Sequence, residues 1–314
     1  MARPTRQQDM ILNIARLRYE EGLAQNAISK RLGVSTATVS RCLTLAMETG
    51  LVEVRIAAHT LRNPTLEAQM CHAFGLTHTV IVDNQETPTE TRRVLAQAVA
   101  RVIESLVVEG DVIGISDGDT TAAVALAARN IKPRHFDILP LVGGVGRAEE
   151  PSHSSEVCRT LAQTLGGQAW QLPVPALVDS AETAATLVAL GHVRSTFTLM
   201  DRLSMAIFGI GAMSEHATVF RHGVLGPEYL QDIKNSGAVG SVCARFFGLR
   251  GEPINTAFDQ RVLSIRLDQL LKTPCRVGVA IGRDKAAPVR AALKGGLLSI
   301  LGLDAETARL VLEG

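Results

Sequence analysis

This 314-residue sequence lacks several things, and each absence narrows what the chain can be. Its five cysteines (Cys42, Cys71, Cys158, Cys243 and Cys275) are odd in number, and no two share a Cys-x-x-Cys spacing. Such a set makes neither a disulfide framework nor a zinc site, and it predicts free thiols in a reducing compartment. The basic N-terminus, with Arg3 and Arg6, has no apolar stretch behind it, unlike a secretory signal. The longest strongly apolar run, residues 205–213, falls well short of the ~20 residues of a membrane span. These absences predict a soluble, cytoplasmic protein with no membrane partner. A dominant charge is missing too: 32 Lys+Arg stand against 31 Asp+Glu, a net +1, with 20% charged and 46% hydrophobic residues. That excludes a uniformly basic coat and a wholly disordered chain. The metal-site signature His-Glu-x-x-His does not occur, and nothing in the sequence calls for a cofactor or a metal.

What is present is unevenly spread. Residues 1–62 hold nine Lys/Arg and five Asp/Glu, so this head carries +4 and the remainder −3. At ~100–200 residues per domain, the length predicts two domains. We expect the boundary near residue 62, with a small basic domain at 1–62 and a larger one at 63–314.

In the head, Ile11, Ile14, Ala15 and Arg18 fall at helical spacing, which predicts a helix over 8–20 ended by Gly22. A second helix is predicted over 25–32, with Ile28 and Leu32 on its inner face. Gly33-Val34-Ser35 then supplies a left-handed turn residue, a plug and an N-cap. The third helix, 36–48, faces inward with Val39, Leu43 and Ala46, and Cys42 shares that face. Its outer face (Thr36, Ala37, Ser40, Arg41 and Thr44) is small or polar and can enter a major groove. Ser35 at its start joins this DNA-facing set. Arg41 can read guanine or grip a phosphate, and Gln25, with the start of the second helix, is placed to hold the DNA backbone. Alternation over 51–56 predicts a wing strand.

From residue 64 the chain reads as a linking helix (64–74) and then strands alternating with helices. Strands are predicted at 79–83, 112–116, 138–142, 169–172, 205–210, 276–281 and 297–301. Helices are predicted at 90–108, 120–129, 154–165, within 180–200, at 285–294 and at 305–312. Alternation of this kind predicts an α/β, Rossmann-like, mostly parallel, doubly wound sheet behind the all-α head. Ligands of such sheets sit beyond the carboxyl ends of the strands. There the sequence places small polar loops: Ser116, Asp117, Gly118, Asp119, Thr120 and Thr121; Gly143 and Gly144, with His153 following; Gly209-Ile210-Gly211; and Gly282-Arg283-Asp284-Lys285. Helix-start amides and Lys285 suit a phosphate.

Taken together these blocks resemble the SorC-type sugar-binding transcriptional regulators of bacteria. The likeness is carried by residues 27–35, Leu141-Val142-Gly143-Gly144-Val145, Leu172-Pro173-Val174-Pro175, Gly237-Ala238-Val239-Gly240 with Arg245-Phe246-Phe247, and the tail from Gly282 to Leu297. The resemblance implies an effector domain of the sugar-isomerase/CoA-transferase type that binds a sugar, polyol or sugar phosphate. It also implies a homo-oligomer, dimer or tetramer, on operator DNA near carbohydrate-catabolism genes. By residue matching, the 116–121 loop, the 143–146 loop and Lys285 map onto its effector pocket. Asp117 and Asp119 replace an aromatic and a basic or neutral residue common in the family, and Ser241 replaces a common Asp. The two aspartates would repel a phosphate, so they favour an unphosphorylated polyol.

Two other readings stand beside this one. A sugar-phosphate isomerase with an N-terminal helical extension would need a carboxylate base, for which Glu215 with His216 are the candidates. A DNA-binding scaffold whose body only oligomerises would not need the polar loops.

Overall fold

The computed structural model describes residues 6–52, 61–129, 135–215, 217–221, 225–226, 228–256 and 258–314. The chain divides into two compact units, Met1–Ala57 and Ala58–Gly314.

The first unit contains α1 (Arg6–Tyr19), α2 (Gln25–Leu32) and α3 (Thr36–Glu48). Ile11, Ile14, Ala15 and Leu17 of α1 close on Ile28 and on Val39, Cys42, Leu43 and Ala46. Leu17 completes the α1 stripe in place of Arg18, which is exposed and donates to the Leu23 carbonyl. Gly33 ends α2 at φ 66° and returns its N–H to the Ser29 carbonyl. The Ser29 hydroxyl donates to the Val34 carbonyl at 2.6 Å, which fixes the turn from both sides. Ser35 caps α3 by accepting from the Thr38 amide. The wing expected at 51–56 lies outside the described residues from 53 on.

The second unit opens with α4 (Pro64–Phe74), β1 (His78–Val82), α5 (Pro88–Leu106), β2 (Val112–Ile115) and α6 (Asp119–Ala127). It continues through β3 (Asp137–Pro140), α7 (Ser154–Leu165), β4 (Gln168–Ala169), α8 (Ala181–Ala189), α9 (Gly191–Met200) and β5 (Met205–Gly209). After β6 (Gly211–Ala212), α10 (Thr218–Arg221) and α11 (Glu228–Asn235) come β7 (Gly240–Val242), β8 (Arg245–Phe247) and α12 (Leu267–Lys272). The chain ends with β9 (Cys275–Val279), α13 (Ala286–Lys294), β10 (Ile300–Asp304) and α14 (Ala305–Glu313).

Seven strands form one sheet in the order β1-β10-β9-β5-β2-β3-β4, and every pair in it is parallel. The chain's tail thus fills the space between its first strand and β5. Helices cover both faces, so the strands are apolar on both sides, as in Val80, Ile81 and Val82 or Ala206, Ile207 and Phe208.

Two expectations shift. The last strand starts at Ile300 and not at 297, because Gly296 at φ 66° wraps the end of α13 and the Leu297 amide returns to the Ala292 carbonyl. Leu297 and Leu298 are therefore buried cap residues, not strand residues. Strand β4 has only two residues, not the four of 169–172. Past Trp170 the chain leaves the sheet, and Pro175 bridges Gly144 instead. The sequence pattern also gave no sign of the small antiparallel sheet β6-β7-β8.

Candidate functional site

A cavity of about 220 Å³ opens at the carboxyl ends of β2, β5 and β9. Ser116, Asp117, Gly118, Asp119, Thr120 and Thr121 line one side, and Gly209, Ile210, Gly211, Ile281 and Lys285 line others. Val142 and Val145 reach it as well, but Gly143, Gly144 and His153 do not line it.

Sterics explain that correction. A Cβ on Gly143 would stand 2.5 Å from the Pro175 carbonyl oxygen, and one on Gly144 would stand 2.8 Å from His153 Nε2. These glycines let the 143–144 strand end lie against residues 174–175. His153 caps α7: its side chain accepts from the Ser155 amide, and its Nδ1 lies 2.7 Å from the Ser155 hydroxyl. The structure gives them packing and capping contacts, and the sequence signal for these is the same Gly-Gly that suggests a ligand loop.

The first loop is rigid by construction. Ser116 is buried; its hydroxyl donates to the Asp117 carbonyl and accepts from the Gly209 amide, which ties β2 to β5. Thr121 is fully buried, and its hydroxyl donates to the Asp117 and Gly118 carbonyls. It holds the loop's shape, while the start of α6, without a side-chain cap at Gly118, keeps its first-turn amides for other acceptors. Gly118 takes φ 111°, a conformation closed to most side chains.

Asp117 is half-buried at the cavity. Desolvation pushes its carboxyl up to about 6; its own backbone N–H and Arg221 oppose the rise, and Asp119 adds to it. Asp119 pairs with Arg221 at 3.2 Å, so its charge is matched inside the site. The Lys285 ammonium lies 3.6 Å from Asp284 and is held by a 3-10 turn, Arg283–Lys285. That turn is moored from below. Asp304, 1% exposed, accepts from the Gly282 amide, the Thr307 amide and hydroxyl, and Asn84. Burial raises the Asp304 pKa, but these hydrogen bonds outweigh it and leave the carboxyl below its ordinary range.

Sequence reasoning missed several lining residues: Arg92, Ala217, Arg221, Cys243 and Ala244. Cys243 and Ala244 form the two-residue turn between β7 and β8, with φ of 49° and 60°. Both lie in the left-handed region without being glycine, a strain of roughly 1–2 kcal/mol per residue. Arg245 holds the turn in place: its guanidinium donates to the Asp259 and Val262 carbonyls and to the Ser264 hydroxyl. Ser241 precedes the turn, buried and lining the cavity. Burial, with Asp117 nearby, pushes the Cys243 thiol well above its ordinary range, so it stays protonated. Only Arg92 had a usable sequence signal. It stands at i+3, i+4 and i+7 spacing from buried Leu95, Ala96 and Val99, which puts a charge beside an apolar stripe.

In the head, every residue expected to face DNA is exposed: Gln25, Ser35, Thr36, Ala37, Ser40, Arg41 and Thr44.

A family model described as "Putative sugar-binding domain" matches residues 59–313. The sorbitol operon regulator of Klebsiella pneumoniae is 27% identical over 97% of this chain and 98% of its own length. The crystal structure of that full-length regulator superposes with a TM-score of 0.81, covering 98% of this chain and 100% of that one. This chain belongs to the SorC family of sugar-binding transcriptional regulators. The erythritol catabolism regulatory protein EryD of Brucella abortus (strain 2308) is also 27% identical, over 96% of each chain. These relatives are regulators of carbohydrate genes, and this protein is one too, not an enzyme. The isomerase reading falls with that: Glu215 is exposed and lines no part of the cavity, and His216 lies outside the described residues. Among the described residues no helix is long and apolar enough to cross a membrane, and no His/Cys/Asp/Glu cluster could hold a metal.

Proposed function

We propose that this regulator reads operator DNA with α3 and that a phosphorylated sugar or polyol, bound in the 220 Å³ cavity, controls that binding. The exposed, small outer face of α3 supports the first half, since a helix with short side chains can lie deep in a major groove. Ala24 offers no side-chain cap to α2, so the amides beside Gln25 are available to a DNA phosphate.

One observation carries the second half. The cavity lining holds three cations, Arg92, Arg221 and Lys285, against two carboxylates. Of these acids, Asp119 is matched by Arg221, and desolvation raises the Asp117 pKa. The expectation that two aspartates exclude a phosphate weakens, because Asp119 is matched by Arg221 and the cations of the lining outnumber the carboxylates. Relatives named for sorbitol and erythritol genes support a sugar or polyol ligand, phosphorylated or not.

The protein would act in the cytoplasm as a homo-oligomer, dimer or tetramer, with a head at 1–62 and an effector body at 63–314. A melting-temperature screen of matched polyol and polyol-phosphate pairs tests the reading. A ligand at a hundredfold its Kd adds about 2.7 kcal/mol of stability. Stabilisation by the phosphates and not by their parent polyols is expected; the reverse order would overturn the phosphate assignment. Retarded migration of the chain's own upstream DNA, altered by the same ligand, tests the link to the operator.

A further inference from the structure

Arg92 is the odd member of the cavity's cations. Arg221 is held by Asp119 at 3.2 Å, and Lys285 lies 3.6 Å from Asp284. No carboxylate holds Arg92 among the described residues, and its Nε is buried without a hydrogen-bond partner. Guanidinium N–H groups taken from water are ordinarily satisfied, so an unsatisfied one calls for an explanation. Its place on α5 supplies half of one. Arg92 is half-buried one turn from Leu95 and Ala96, which are in the core, and the helix cannot turn it further toward solvent without exposing them. The other half is the cavity, which Arg92 lines together with the uncapped start of α6. An anion in the cavity would supply the missing acceptor.

We propose that Arg92 is an effector-binding residue whose guanidinium donates to the phosphate monoester of the ligand, with Lys285 as the second cation. The proposal rests on the phosphorylated-effector reading above and adds the residue that selects for it. A planar fork of donors suits a phosphate better than a neutral hydroxyl, so Arg92 sets the preference for phosphorylated over unphosphorylated ligand.

The test uses the full chain and the variants Arg92→Met, Arg92→Lys and Arg93→Met, titrated with inorganic phosphate and with sorbitol 6-phosphate. Arg93 is the exposed neighbour on the same helix. Binding to the parent protein, weakened about tenfold or more by Arg92→Met and less by Arg92→Lys, is expected, with Arg93→Met unchanged. The ligand-free Arg92→Met protein should melt at or above the parent temperature, because the substitution removes an unsatisfied donor. A merely structural Arg92 would give the opposite pair of results, a lower melting temperature and an unaltered Kd, and that overturns the proposal while leaving the effector reading in place. If the parent protein binds neither probe, the phosphorylated-effector reading falls and the proposal falls with it.

Discussion

The head and the body carry their functions in opposite ways. The DNA-facing residues of the head lie within one turn and one helix, from Ser35 to Thr44, with Gln25 close by. The body's cavity draws on residues from Arg92 to Lys285, brought together from at least five separate stretches of chain. A surface made by one helix needs only that the helix form and pack by its other face. A cavity needs every strand in register, so its integrity depends on residues that never touch a ligand.

If that contrast is right, the largest effect should come from a distant mooring residue of the body. Asp304→Ala should cost about 3 kcal/mol in urea unfolding of the body, through loss of charged, buried hydrogen bonds to Gly282, Thr307 and Asn84. Its lowered pKa fixes the sign with pH. The contribution is full above the unfolded-state carboxylate pKa and is lost as pH falls through the folded value, so parent and variant should converge in acid. Ligand binding should weaken with it, because the Lys285 turn loses its anchor; undiminished binding would show that the site is more local than the contrast holds.

Arg41→Ala should weaken operator binding by about 1–3 kcal/mol and relax the preference at one base, with no change in ligand affinity. A uniform loss across sequences, measured by competition with mutated operators, would reduce Arg41 to a phosphate contact.

Asp117→Asn sharpens the comparison from the electrostatic side. Because the folded carboxyl is raised to about 6, Asp117 destabilises the ligand-free protein increasingly as pH rises past its ordinary value toward and through 6. The variant should be more stable than the parent at pH 8, by on the order of 1 kcal/mol after allowance for solvent screening, and nearly equal to it at pH 4. Equal melting temperatures at both pH values would remove the desolvation account.

The smallest effect belongs to the head. Ser35→Ala should cost the helix-turn-helix about 1 kcal/mol, the worth of one N-cap, and leave the body's unfolding unchanged.

Legibility in the sequence followed the same division. The bounds of α2, α3, α4 and α7 agree with expectation, because caps such as Ser35 and Asn63 and stops such as Gly33, Gly75 and Gly166 act over a few residues. The strands of the parallel sheet were recognisable as apolar runs, but β6, β7 and β8 are two or three residues long and leave no periodicity. Gly143 and Gly144 lie against a neighbouring chain segment and off the cavity lining, and a glycine that admits a neighbouring backbone looks like one that admits a ligand until the neighbour is seen.

By itself, then, the sequence determined the helix-turn-helix, the alternating α/β order, the 116–121 loop and the place of Lys285. Each of these is written in contacts a few residues apart or in a strand-helix rhythm. Only the tertiary structure decided that β9 and β10 enter the middle of the sheet, that Asp119 meets Arg221 across 102 residues, and that Arg92 reaches the cavity with its buried Nε unpartnered among the described residues. Those facts depend on which distant segments pack together, and charge matching between them sets the chemistry of the site.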